Sequence, residues 1–314
     1  MERVPRSTGE VLSDAVALLR RHFRAFYVLA LPFCTVDLLL REGGNAVMDA
    51  ARRQLTNLDL ESVLPVLASL SGAMGLVFGS LIVGTLLSAG LVHMTAEVWA
   101  GRAPEPRGAA RAMVRRGPTL VLTMLLFLAV IALAATLPAL VVTLAGALLG
   151  PVGVAVGAVL AAVWVLVTAL VLSLRWLLYP QTAVIEERFA PAALSRSTAL
   201  MAGRGVPFFE SPKVRLSLLL LVTFALSATL SSLFAGPRLA WALATGWELK
   251  NGLPPLLGMP LWSVVPLALC EVALQAVIAP LGAVLATLFY FDLRVRFEGL
   301  DLDPAPAAQG AAVA

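Results

Sequence analysis

The chain has 314 residues, 60% of them hydrophobic and only 13% charged, with a mean hydropathy of +0.91 and a formal charge of +4. That balance excludes a soluble globular domain of ordinary composition. The positive excess comes from Arg, since Lys occurs only at Lys213 and Lys250, and it sits beside apolar runs rather than on one folded face, which argues against a nucleic-acid partner.

A hydrocarbon core of ~30 Å needs ~20 mostly apolar residues per helix. Residues 7–24 come before any such run. Ser7 followed by Glu10 forms a capping box, and Leu12, Val16, Leu19 and Phe23 recur at helical spacing opposite Asp14, Arg20, Arg21 and Arg24. This pattern predicts an amphipathic helix lying among lipid headgroups. No signal peptide is expected, because the first apolar run begins near Ala25. Span 1 is predicted over 25–41, with Pro32 and Asp37 inside it.

Residues 42–62 are polar, with Gly43 and Gly44 as an expected helix breaker and a short helix over 46–56. Span 2 is predicted over 70–98. A basic stretch at 102–117 leads to span 3 over 118–145. Gly146, Gly150 and Pro151 then form an uncharged hairpin into span 4 over 151–179. Segment 180–213 reads as amphipathic, with Pro191 in the first turn of a helix through Met201, ended by Gly203 and Gly205. Span 5 is predicted over 214–236. Residues 237–260 read as an interfacial loop anchored by Trp241 and Trp247, with Glu248 beside them. Span 6 covers 261–291, with a kink expected at Pro280, and the Pro/Ala/Gly-rich tail 299–314 reads as disordered.

Six spans place every Arg-rich segment on one side. The positive-inside rule then puts both termini in the cytoplasm, and the Arg, Ala and Gly bias suggests a bacterial inner membrane. A weak threefold repeat accompanies this, each unit a short basic helix followed by two spans.

Ionisable groups within apolar runs each require a partner. Counting along the spans places Asp37 and Glu271 toward the outer half, and His93, Glu97, Arg175 and Asp292 at the inner rim. His93 and Glu97 share a helical face. They read either as a metal or proton site or, the simpler view, as a headgroup-level pair bridging to Arg175. Glu271 and Gln275 also share a face, with Asp37 across the bundle; they line a solute path on one reading and the outer mouth on another. Gly153, Gly157 and Ala161 form a small-residue stripe for close helix packing. Cys34 and Cys270 read as small buried hydrophobes. No metal ligand set, cofactor motif or catalytic constellation is recognised.

Two stretches, LRWLLYPQTAVIEERFAPAALSRSTALMAG and IAPLGAVLATLFYFDLRVRFEGLDL, resemble a known family. It is the membrane domain that precedes some bacterial glycerophosphoryl diester phosphodiesterases and also stands alone in other bacterial proteins. The matching positions are Pro180, Glu186, Ala193, Leu194, Arg196 and Ser197, then Pro280, Tyr290, Asp292, Leu293, Arg294, Arg296 and Glu298. In the fused proteins a separate soluble barrel performs hydrolysis. This chain stops about twenty residues after span 6, so the resemblance implies the membrane fold without the hydrolase.

Asp292 with Arg296, and Arg294 with Glu298, are spaced for exposed ion pairs of ~0.3–0.5 kcal/mol each. Arg196 and Ser197 are expected to face Glu186 and Asp292, clamping the basic helix beneath spans 4 and 6. The sequence therefore predicts an all-α polytopic bundle of about six transmembrane helices with amphipathic elbow helices on the cytoplasmic face, non-enzymatic, with an anchoring or scaffolding role; a channel or transporter for a small or lipidic solute is the alternative. Membrane lipids and other membrane proteins are the expected partners.

Overall fold

The computed structural model describes residues 6–55, 63–203, 207, 210–246, 256 and 259–299. Among the described residues the regular structure is entirely helical: α1 (Thr8–Leu55), α2 (Val63–Trp99), α3 (Pro106–Ala147), α4 (Gly150–Trp176), α5 (Tyr179–Ile185), α6 (Ala190–Met201), α7 (Pro212–Thr245) and α8 (Leu261–Glu298). Six of the described helices are long and apolar enough to cross a bilayer. Arg6, ahead of α1, hydrogen-bonds Asp292 near the end of α8, so both described ends share one face of the bundle. We refer to this as the terminal face and to the opposite one as the hairpin face.

Consecutive long helices pack as antiparallel pairs, α1 on α2, α3 on α4 and α7 on α8, and α8 also lies against α1 and α2. α8 is the central helix, buried without a break from Thr287 to Leu293. α4 shows the reverse. Its buried residues are Gly153, Gly157 and Ala161, while Val152, Val159 and Leu166 point outward. Small residues inside and large apolar ones outside are what lipid as solvent permits: tails cost the outer Leu nothing, and helix contact is gained by close approach. A Cβ on Gly157 would stand 3.1 Å from the Val142 carbonyl oxygen of α3, so the stripe does pack helix on helix.

Ser7 and Glu10 form the reciprocal cap that their spacing predicts. The Glu10 carboxylate accepts from the Ser7 amide at 2.6 Å, and the Ser7 hydroxyl accepts from the Glu10 amide at 3.3 Å. The amphipathic stretch then meets span 1 at a kink, where His22 leaves helical geometry (φ −116°, ψ 21°). α6 begins and ends where Pro191 and Met201 indicate, and the chain leaves it through Gly203 in the left-handed region (φ +52°).

Four expectations are corrected. Gly43 and Gly44 do not break the chain; α1 continues through them to Leu55. A Cβ at either position would make only ordinary contact with Leu76 of α2, at 3.5 and 3.6 Å, and the helix continues despite a Gly propensity cost of ~1 kcal/mol each. The basic stretch after Arg102 is no separate elbow, because α3 runs from Pro106 through Pro118 into span 3. The loop expected from residue 237 is helical as far as Thr245, with Pro237 inside α7. Cys34 is buried, but Cys270 is exposed on the outside of the bundle. α8 stays helical through Pro266 and Pro280. Trp247, Glu248, Gly205 and the tail beyond residue 299 lie outside the described residues.

Candidate functional site

The terminal face carries two distinct ion-pair networks where the sequence led us to expect one. The first is built on Asp292, 2% exposed at the end of α8. Its Oδ2 accepts from Arg215 Nη1 of α7 at 2.9 Å and from Arg296 Nε, one turn on, at 3.0 Å. Its Oδ1 accepts from the Arg6 amide at 2.7 Å. Arg215, only 7% exposed, also donates to the Arg6 carbonyl at 2.7 Å and to the Thr8 hydroxyl at 3.3 Å. Two helices and the segment ahead of α1 thus converge on one carboxylate. Arg6 completes the corner over the Trp99 ring, itself stacked on Phe291 at 4.7 Å.

The second network centres on Glu186, the C-cap of α5. It accepts from Tyr290 of α8 at 2.6 Å, from Arg196 of α6 at 3.0 Å to both oxygens, and from Arg188 at 2.7 Å. Arg196 reaches on to Glu298, which Arg294 also holds at 3.0 Å. Burial opposes ionisation of Glu186, yet the Tyr290 and Arg196 hydrogen bonds outweigh it and hold the carboxyl below the usual carboxylate range. Burial likewise opposes the Arg196 charge, and Glu186 and Glu298 reverse the effect, raising its value.

Arg196 therefore clamps α6 to α5 and α8 through Glu186 and Glu298, and Asp292 is not its partner. Nor do Asp292 and Arg296 form an exposed pair, since the carboxylate is buried. Ser197 donates to the Arg175 carbonyl at 3.0 Å, fastening α6 to the end of α4, and the exposed Arg175 side chain does not join Glu97. His93 Nε2 lies 3.8 Å from Glu97, whose carboxylate faces Arg102 at 4.0 Å and the Glu105 amide at 3.4 Å. These groups shape the α2–α3 turn. Among the described residues no three His, Cys, Asp or Glu side chains gather as a metal site.

Toward the hairpin face Asp37, Glu42 and Glu271 each meet another helix. Asp37 of α1 accepts from Ser80 of α2. Arg41, one turn along α1, pairs with Glu271 of α8. Glu42, 5% exposed, is held by Arg238 of α7 at 3.1 Å and by the Leu256 amide at 2.8 Å.

Between these two layers lies a cavity of about 370 Å³, walled by α1, α2, α5, α7 and α8. Asp37, Ser88, Gln181 and Gln275 supply its polar groups, so the structure brings Asp37 and Gln275 to one space. Ala279, Gly282, Ala283 and Ala286 of α8 form one apolar wall. Gln181 of α5 is 2% exposed, and its amide oxygen has no hydrogen-bond partner among the described residues.

Sequence reasoning missed Arg6, Arg215, Glu42, Arg238 and Gln181. Glu42 and Arg215 had a signal, standing at the ends of predicted spans; Gln181 was a lone carboxamide in apolar surroundings. Tyr290 entered only through the family resemblance, and Glu298 also through its spacing from Arg294.

The fold and these sites define an all-α, multi-pass membrane protein whose spans are tied together by buried ion pairs. Comparison with protein-family models, with curated proteins and with solved structures returned no match.

Proposed function

We propose that this is a non-enzymatic protein of the bacterial cytoplasmic membrane, with both ends in the cytoplasm, that anchors or organises partner proteins there. It is of the membrane-domain type found ahead of bacterial glycerophosphoryl diester phosphodiesterases, as its Glu186, Arg196, Tyr290 and Asp292 motifs imply. One observation carries the anchoring role. The acids are used as struts: Asp292 to Arg215, Glu42 to Arg238, Glu271 to Arg41 and Asp37 to Ser80 each join two different helices. Charges that conduct a solute need to exchange partners, whereas charges locked between helices hold a fixed surface. Purification in mild detergent with identification of co-purifying proteins tests the reading. A defined stoichiometric partner supports it, and a protein that is recovered alone from native membranes at every detergent concentration refutes it. Reporter fusions at the two ends test the orientation.

The cavity favours a second reading, a channel or transporter for a small or lipidic solute. Solute flux in vesicles carrying the purified chain, abolished by Gln275→Leu, would select it.

A further inference from the structure

A recess of about 510 Å³ lies between α1 and the turn that joins α2 to α3. Arg21 and His22 line it from α1, and Val98, Gly101 and Arg102 from the end of α2 and the turn. The volume falls within the ~300–1,000 Å³ of ordinary small-molecule sites. The apolar run of span 1 begins near Ala25, and α2 ends at Trp99. The recess therefore opens where two spans meet the polar boundary of the bilayer, at the level of headgroup phosphates.

Backbone geometry holds the two guanidiniums at this place. Gly101 is left-handed (φ +78°); its amide donates to the Val98 carbonyl at 3.0 Å and the Arg102 amide to the Glu97 carbonyl at 2.9 Å. This is a Schellman turn, which ends α2 and fixes the backbone of Arg102 beside the recess. Arg21 stands immediately before the kink at His22, where α1 leaves its amphipathic stretch for span 1.

The recess stays positive after the neighbouring acids are counted. No Asp or Glu is among its described lining residues. Asp14, two turns before Arg21 on α1, is held by Arg6 at 2.8 Å. Glu97 lies 4.0 Å from Arg102, but it is shared with His93 at 3.8 Å and the Glu105 amide at 3.4 Å. The Glu105 carboxylate sits over Gly108 of α3, 3.7 Å from where a Cβ would be. Even with Glu97 given wholly to Arg102, Arg21 has no acid partner among the described residues. The negative end of the α2 dipole opposes an anion with ~0.5 of a charge, and the Schellman bonds occupy two of its carbonyls. His22 adds a hydrogen bond rather than a charge, since burial and Arg21 both lower its value.

Arg41, Arg215 and Arg238 are each neutralised by an acid on another helix. Arg21 and Arg102 instead share one space, where their like charges repel. An anion between them relieves that repulsion, and guanidinium forks match phosphate oxygens. We infer that this recess binds a phosphate group, with Arg21 and Arg102 donating to its oxygens and His22 completing the contact. Two sources supply this chemistry: the headgroup of an anionic phospholipid, and soluble phosphate. The site is independent of partner binding and of solute flux.

The test uses the full chain in an uncharged mild detergent, in two arms. Native mass spectrometry reads the binding of phosphatidylglycerol and of phosphatidylcholine. Titration calorimetry at constant ionic strength reads the binding of inorganic phosphate. Arg21→Gln and Arg102→Gln, both at exposed positions, are expected to keep the melting temperature and to weaken binding about fivefold each. Arg111→Gln, on the exposed side of α3 and outside the recess, is expected to leave binding unchanged, whereas diffuse attraction to the basic rim would count every Arg alike. Loss confined to the phosphatidylglycerol arm assigns the site to a membrane lipid, and loss in the phosphate arm assigns it to a soluble ion. Binding in neither arm, or binding that both recess variants leave intact, overturns the site. So does an equal loss in Arg111→Gln, or phosphatidylcholine binding as tightly as phosphatidylglycerol. If Arg102→Gln does not fold, Arg21→Gln decides the matter alone.

Discussion

Arg215 and Asp292 meet at 2.9 Å with 8% and 1% of their side chains exposed, joining the start of α7 to the end of α8. Neither charge can reach solvent, so Arg215 depends on Asp292 and the Arg6 carbonyl, while Asp292 is held also by Arg296 and the Arg6 amide. Removing one partner of a buried pair strands the other, at ~3–5 kcal/mol. Asp292→Ala, which strands Arg215, is expected to lower the melting temperature in detergent sharply, and Arg215→Met less, because Arg296 still pairs with Asp292. The double variant is expected to recover part of that loss. Unchanged melting in both single variants would show that the corner contributes nothing to stability.

Tyr290→Phe removes only a hydroxyl, the one that donates to Glu186 at 2.6 Å. A hydrogen bond to a charged group contributes ~1.5–3 kcal/mol. The variant is expected to lose about that much, and Arg196→Ala more, because Arg196 also holds Glu298. Thermal unfolding of the two purified variants ranks them.

Glu186 also gives the terminal face a pH dependence. Its carboxyl titrates below the usual value in the folded protein. The unfolded chain therefore takes up a proton first as pH falls, and the stabilisation is full above the unfolded value of ~4.3. It declines as pH drops further and is lost on passing the lowered folded value. Melting scans from pH 7 to pH 3 are expected to fall more steeply for the wild type than for Glu186→Gln.

Gly157→Leu places a branched side chain against the α3 backbone, where even a Cβ stands 3.1 Å from the Val142 carbonyl oxygen. Overpacking costs ~1–3 kcal/mol in well-packed cores, and at least that is expected here because the obstacle is backbone. Cysteine pairs placed across α3 and α4 are expected to lose their disulfide crosslinking in this variant.

Much of the bundle was legible from residue order. The Ser7–Glu10 cap, the Pro191 start of α6 and the six apolar runs are local patterns, set by amide capping, by ring geometry and by the length needed to cross lipid. Legibility failed where a neighbour decides the outcome. Gly43 and Gly44 carry a turn signal, yet α1 continues through them while packed on α2. Pro237 carries a stop signal, yet α7 continues past it. The grouping of Asp37 with Gln275 was visible as a possibility, while the separation of Asp292 from Arg196 was not, because residues on one short helix end can face different neighbours.

By itself, then, the order of amino acids determined that lipid is the solvent, how many times the chain crosses it and where its helices begin, since these depend on hydropathy and on backbone chemistry within a few residues. Only the tertiary structure decided that Arg215 reaches Asp292, that Glu42 reaches Arg238 and that Gln181 is buried at the edge of a cavity lined also by small residues of α8. Those outcomes depend on how helices distant in sequence rotate and approach one another, and packing between them sets both.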